Sequence, residues 1–245
     1  MKTAYLGLEA KRALRNPRFL MFTMVFPVVI FVIDVGAFGK GDVPGSTASY
    51  AAYLMVSMSA FGAFMAAMNT GARTAVERAA GWQRQLRLTP LKPMGYLVAK
   101  GAVGTLVALP PILLVALVGV LLEHVHLSAA GWVQVVLGVW VATIPFAVLG
   151  LLVGQLATSE TMQVFTSGLM IVLGFLGGVL IPVQVFPNWI ANIAKVLPSY
   201  WLADVGHGAL LGNTDIGKAA LWLAGWTVVF AFAVVRRYQR DSARV

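Results

Sequence analysis

The sequence contains no cysteine, so neither disulfides nor a thiolate-ligated metal can hold it together. Its three histidines are His124, His126 and His207. His124 and His126 flank Val125 beside Glu123. No further carboxylate cluster joins them, so no metal site is expected. There is no Gly-x-x-x-x-Gly-Lys-Ser/Thr loop to cradle nucleotide phosphates. There is also no Gly-x-Ser-x-Gly elbow and no Ser/His/Asp grouping, so no catalysis is expected in this chain. Charge is scarce as well. Asp, Glu, Lys and Arg make up 11% of the residues, against about 25% in a typical soluble domain.

What is present is apolar surface. Hydrophobic residues are 59% of the 245, against about 45–50% in soluble domains. A larger core does not account for that excess; a lipid-facing exterior does. A helix rises about 1.5 Å per residue, so about 20 apolar residues cross the hydrocarbon layer. Six runs meet this test, at roughly 19–38, 50–72, 97–122, 132–154, 163–182 and 216–235. They are continuously apolar and do not alternate with period two, which argues against a β-barrel. The expectation is an all-α integral membrane protein, one transmembrane domain over 1–245 with six transmembrane helices. Pro27, Pro110, Pro111 and Pro145 lie inside the runs and should kink them. Gly150 and Gly154, and Gly174 and Gly178, place small residues one turn apart, where helix backbones can approach.

The net charge of +9 would suggest nucleic acid in a soluble chain. Here the basic residues cluster beside apolar runs, so no nucleic-acid partner is expected. Lys2, Lys11, Arg12, Arg15 and Arg18 precede the first run. Arg73, Arg78, Arg84, Arg87, Lys92 and Lys100 lie between the second and third, and Arg236, Arg237, Arg240 and Arg244 follow the sixth. The other side holds Lys40, Lys195 and Lys218. The positive-inside rule then puts both termini in the cytoplasm. The N-terminus is too long and too amphipathic before its apolar run for a secretory signal.

Three segments do more than span. Residues 1–18 place Leu6, Ala10, Ala13 and Leu14 on one helical face and Lys11, Arg15 and Arg18 on another, as in an interfacial helix that Pro17 ends or turns into the first span. Residues 73–93 read as a short amphipathic cytoplasmic helix or, equally from spacing alone, as a basic loop that obeys the orientation rule and touches lipid headgroups. Arg73 and Glu77 are spaced for an i, i+4 pair, Gly81 can break the helix, and Pro90 and Pro93 end it. Residues 183–213 hold two short pieces. In the first, Pro187 starts and Pro198 stops a helix carrying Phe186, Trp189, Ile190, Ile193 and Leu197; the second runs from Tyr200 to Leu211. Both are too short to cross and read as half-helices in the outer leaflet, anchored by Trp189, Tyr200 and Trp201. Asp34 and Asp204 are intramembrane carboxylates near the outer interface, candidates for a direct role in transport. Glu160 reads as part of a helix start, with Thr158 or Ser159 as its cap.

This order of parts resembles the membrane subunit of type 2 ABC exporters, the bacterial permeases that include the daunorubicin-resistance type. The first match is Glu77-Arg78-Ala-Ala-Gly81-Trp-Gln-Arg84-Gln-Leu86-Arg87-Leu-Thr89-Pro90-Leu91, continued by Gly95-Tyr96-Leu97-Val98-Ala99-Lys100. The second is Gly177-Gly178-Val-Leu-Ile-Pro182, then Pro187-Asn-Trp189, then Leu197-Pro198-Ser-Tyr200-Trp201 and Asp204. The resemblance covers nearly the whole chain. It implies that 73–93 is the coupling helix that sits in a groove of a separate ATPase. Glu77, Arg78, Gly81, Arg84, Leu86 and Arg87 become ATPase-coupling candidates. Trp189, Tyr200, Trp201 and Asp204 become candidates for the outer gate or path. It also implies two ATPase copies that bind ATP and Mg, a second and expectedly identical permease copy, and a bacterial plasma-membrane location. Only Gly39 to Ser49 lie outside after the first span, so a large external domain there is lacking.

A path rich in Phe, Met, Leu and Trp suits a hydrophobic or amphipathic small-molecule cargo, such as a drug, an antibiotic or a lipid-linked compound. Two other classes compete. A lipid-modifying membrane enzyme could use Arg84, Arg87 and Glu77 on headgroups, but no nucleophile or metal set joins them. An ion-coupled secondary transporter often shows repeated halves and midplane carboxylates, and neither stands out here.

Overall fold

The interior prolines fall where helices break and restart. In this computed structural model, which describes residues 7–9, 11–12, 15–39, 41–43, 46, 48–82, 85, 93–212 and 214–242, Pro27 begins a new α-helical turn after a π-helical stretch at Met21–Val25. Pro110 follows a break at Ala108, and Pro145 follows one at Thr143. A proline has no N–H to give and fits the first turn of a helix, where none is needed. Each break thus interrupts the hydrogen-bond pattern of a membrane helix without ending the helix.

The regular structure of the described residues is helical, apart from an isolated antiparallel bridge between Asp42 and Ser49. Among the described residues, five helices are long and apolar enough to cross a membrane: α1 (Met21–Phe38), α2 (Tyr50–Ala79), α3 (Met94–Glu123), α4 (Ala129–Leu156) and, late in the chain, α8 (Ile216–Ser242). The fifth expected run appears as a shorter apolar helix, α5 (Met162–Leu176). Its 15 residues reach about 22 Å, short of the roughly 30 Å hydrocarbon layer. Two short helices follow, α6 (Asn188–Ala194) and α7 (Pro198–Leu211).

The reason for the short α5 lies in its glycine pair. Gly178 has φ +77°, a left-handed conformation that side chains resist, and the Leu180 N–H turns back onto the Gly174 carbonyl at 3.0 Å. A Cβ on Gly177 would lie 2.0 Å from Ser199 Oγ, so the chain passes tightly beneath the start of α7. At the other end of α5, Thr158 and Thr161 cap each other, the Thr161 N–H donating to Thr158 Oγ1 at 3.2 Å.

The turn chemistry corrects one expectation. Pro198 does not stop α6. That helix has already ended in turns at Val196 and Leu197, and Pro198 is the first residue of α7. Likewise Pro93 opens the helix that becomes α3. Pro17 begins a helical turn, Pro17–Leu20, capped by Asn16 Oδ1 on the Phe19 N–H at 3.1 Å.

Helix α2 is the centre of the bundle. It is buried almost throughout, while α1 and α8 are largely exposed. Helices α1, α3, α4 and α7 pack around it. The closest approach is to α4, where Cβ atoms on Gly150 and Gly154 would lie 2.2 Å from the Met68 carbonyl oxygen and 2.0 Å from Thr74 Oγ1. Small residues are what permit that backbone contact between membrane helices. Phe64 and Phe146 fill the core beside it, ring edge to face at 4.7 Å.

Candidate functional site: the ion-tied end of the bundle

Helix α2 runs past the last apolar turn, bends at Arg73 and continues as Thr74–Ala79. Residues 83–84 and 86–92 of the segment expected to be a short cytoplasmic helix lie outside the described residues; its first part, Thr74–Ala79, directly extends the central helix. It ends at Gly81, whose φ of +71° makes the turn.

Two neighbouring residues of this extension reach into the bundle. Glu77 accepts a hydrogen bond from the Tyr96 hydroxyl at 2.7 Å and an ion-paired one from Lys100 Nζ. Tyr96 and Lys100 sit one turn apart on α3, so both face the same carboxylate. Lys100 also pairs with Glu9 of the N-terminal segment. Lys100 is 3% exposed and Glu9 7%. A lone ammonium at that depth would be costly; two carboxylates and a phenol ring beneath it make it tolerable. A small polar cavity of about 90 Å³ adjoins the cluster, bordered by Arg12, Thr70 and Arg73.

The next residue, Arg78, reaches the opposite way. Its guanidinium donates to the carbonyls of Gln155 and, at 2.6 Å, of Ala157. These are at the C-terminal end of α4, where carbonyls lack intrahelical partners and a cation is favoured. The extension of α2 is thus fastened to α3 and the N-terminal segment through Glu77, and to α4 through Arg78.

Of the six sequence-predicted coupling residues, Glu77 and Arg78 come together here with their side chains turned inward, and Gly81 forms the turn. Arg84, Leu86 and Arg87 lie outside the described residues. The expected Arg73–Glu77 pairing gives way to Lys100 and Tyr96, which occupy both oxygens of Glu77. The outward face of the extension is apolar: Val76 is 46% exposed, and Ala79 and Ala80 are exposed beside it. Sequence reasoning missed Glu9, Tyr96 and Lys100 as site residues. The one available signal was a lysine set inside the apolar run of α3, which is expensive unless paired.

The residues expected at the outer gate lie at the other end of the bundle and divide into two groups. Trp201 is buried on α7, with Tyr200 against it at 5.1 Å and Trp222 of α8 stacked on it at 6.0 Å. Its indole N–H donates to the Lys195 carbonyl at 2.9 Å, and that of Trp226 donates to Val196 at 2.8 Å, so two tryptophans staple the end of α6. Trp189 is 67% exposed and stands apart from this cluster. Asp204 is half-buried; burial raises its carboxyl pKa, opposed by the charge of Lys218. Asp34 is partly exposed near the end of α1. His207, not singled out from sequence, is buried on α7. It stacks flat on Tyr53 of α2 at 3.9 Å, and its Nε2 is 2.9 Å from Ser57 Oγ. Burial pushes its pKa down to about 4. His124 has a structural place: its φ of +50° closes α3, a left-handed cap.

Between α3, α4 and α8 runs an apolar groove of about 550 Å³, lined by Leu97, Gly101, Trp140, Val148, Ala231 and Val234 among others.

The family model for the ABC-2 family transporter protein matches residues 40–236. The chain belongs to the ABC-2 family of transporter proteins. The chain is also 29% identical over 223 residues to the "Putative transport permease YvfS" of Bacillus subtilis (strain 168), covering 91% of this chain and 90% of that protein. An ABC-2 transporter works with an ABC ATPase, so the chain is a multi-pass membrane permease of an ABC transporter. The ion-tied extension of α2 is anchored to three other parts of the chain: α3, α4 and the N-terminal segment.

Proposed function

We propose that this ABC-2 chain is the membrane subunit of an ATP-driven exporter in a bacterial cell membrane. It crosses six times with both termini in the cytoplasm. In this reading α5, with the turns that follow it, is the fifth crossing, and α6 and α7 cap the outer end of the path. Two copies of the permease, taken as identical, pair with two copies of an ATPase that binds ATP and Mg. Closure of the ATPases pushes on the α2 extension, and alternating access is a two-state equilibrium biased by that push.

The observation that carries this reading is the double anchorage of the extension. A segment that only obeyed the orientation rule would have no need of buried ties to α3, to α4 and to the N-terminal segment. A lever that must move those elements does. Glu77 and Arg78 then act as transmission residues, turned inward. The ATPase docks on the outward face, Val76, Ala79 and Ala80, together with Gly81, Arg84, Leu86 and Arg87. The cargo is a hydrophobic or amphipathic small molecule; the apolar groove between α3, α4 and α8 supports that class. Trp201, Tyr200 and Asp204 belong to the outer end of the path.

The test is co-purification in detergent with the candidate ATPase. The native chain retains it. A variant carrying Val76→Asp and Ala79→Asp loses it while keeping its thermal unfolding midpoint. Failure of the native chain to retain any ATPase, with or without nucleotide, would overturn the reading and return attention to a lipid-modifying enzyme.

A further inference from the structure

We infer that Lys100 is a positioning residue that holds the N-terminal segment and the α2 extension to α3 as one body. This inference rests on the proposed coupling role of the extension and adds a second element to it. Three parts of the chain meet at one ammonium: Glu9 from the N-terminal segment, Glu77 from the extension, and Lys100 itself on α3. Their side chains are 4%, 9% and 12% exposed for Lys100, Glu9 and Glu77. The other charged groups bordering the cluster are Arg12 and Arg73.

The charge count is what gives Lys100 its role. Buried Glu9 and partly buried Glu77 both contact the Lys100 ammonium; Arg12 and Arg73 border the cavity beside them, but among the described residues Lys100 is the cation paired with both. Without Lys100, the bridge that ties Glu9 of the N-terminal segment to Glu77 of the extension is lost. A buried ion set of this kind adds little net stability over an apolar packing, and its best-attested use is to fix one geometry. Tyr96 fixes the other oxygen of Glu77, so the carboxylate cannot follow Glu9 away from α3. The N-terminal segment is therefore the part released when the node is broken.

The absence of cysteine makes this directly measurable. Spin labels go on Gly7→Cys, where a side chain meets open space, and on Leu106→Cys, which is exposed on α3. The distance is read by pulsed electron paramagnetic resonance on the complex with the ATPase in nanodiscs. With Lys100 present the distribution is narrow. Lys100→Met broadens it, and Lys100→Arg, which keeps the charge, restores a narrow one. A folded Lys100→Met protein with the native narrow distribution would overturn the inference. Should Lys100→Met not fold, Glu9→Gln asks the same question, because it frees the segment and leaves the Lys100–Glu77 pair intact; a narrow distribution there is equally fatal. Retention of the ATPase is scored on the same samples. Its loss from the native chain sinks the coupling reading and leaves the distance result legible on its own.

Discussion

At the scale of single residues, the account turns on side chains whose worth comes from a distant partner. Lys100 and Glu9 are 91 residues apart in sequence, and Ser57 and His207 are 150 apart. No local spacing could reveal either pair. Lys100 was visible as one more basic residue on the orienting side and as a lysine inside an apolar run, and His207 as a lone histidine. Removing one member of a buried ion set leaves uncompensated charge, at a cost of about 3–5 kcal/mol. Lys100→Met should therefore lower the unfolding midpoint in detergent far more than Lys100→Arg does. The expectation for His207 has a definite sign. Burial lowers its folded-state pKa to about 4, while the unfolded side chain titrates near 6.5. Below about pH 6.5 the unfolded state takes up the proton first, so the contribution to stability is complete above that value and is lost as pH falls towards 4. The thermal stability of the native chain should fall as pH drops through that window, and a His207→Gln variant should show a shallower dependence.

At the scale of elements, five of the six apolar runs match helices long and apolar enough to cross a membrane, because desolvation of a backbone in lipid leaves few alternatives. Their ends were harder to read. Pro198 and Pro93 looked like stop signals and proved to be starts, since proline is disfavoured inside a helix yet welcome in its first turn. The shortness of α5 depends on Gly177 and Gly178, where one glycine turns the chain and the other clears Ser199. The glycine spacing at 150 and 154 did report a close helix contact, although its partner, α2, could not be named from sequence. There the outcome of substitution is sharp. Gly150→Leu must displace the Met68 backbone and should cost about 3 kcal/mol or more. Gly225→Ala on α8 meets nothing within 4 Å and should be neutral or slightly stabilising, since alanine favours helix by about 1 kcal/mol over glycine. Comparing the two unfolding midpoints checks the packing.

At the scale of the molecule, the bundle has a distinct end where charge is buried and cross-braced, and an opposite end where α6 and α7 are held by tryptophan and histidine. The class of protein was legible from composition, and the family from two motifs and their order. The site was half legible: Glu77 and Arg78 stood out, but their inward orientation follows from the continuity of the extension with α2, which no periodicity revealed. The central claim is that this braced end meets the motor. A cysteine introduced at Ala79, in a chain that has none of its own, tests it most directly. Treated with a short bifunctional crosslinker in native membranes, Ala79→Cys should yield a covalent adduct with the ATPase, and Trp189→Cys at the opposite end should yield none. An adduct from Trp189→Cys with none from Ala79→Cys would contradict the account.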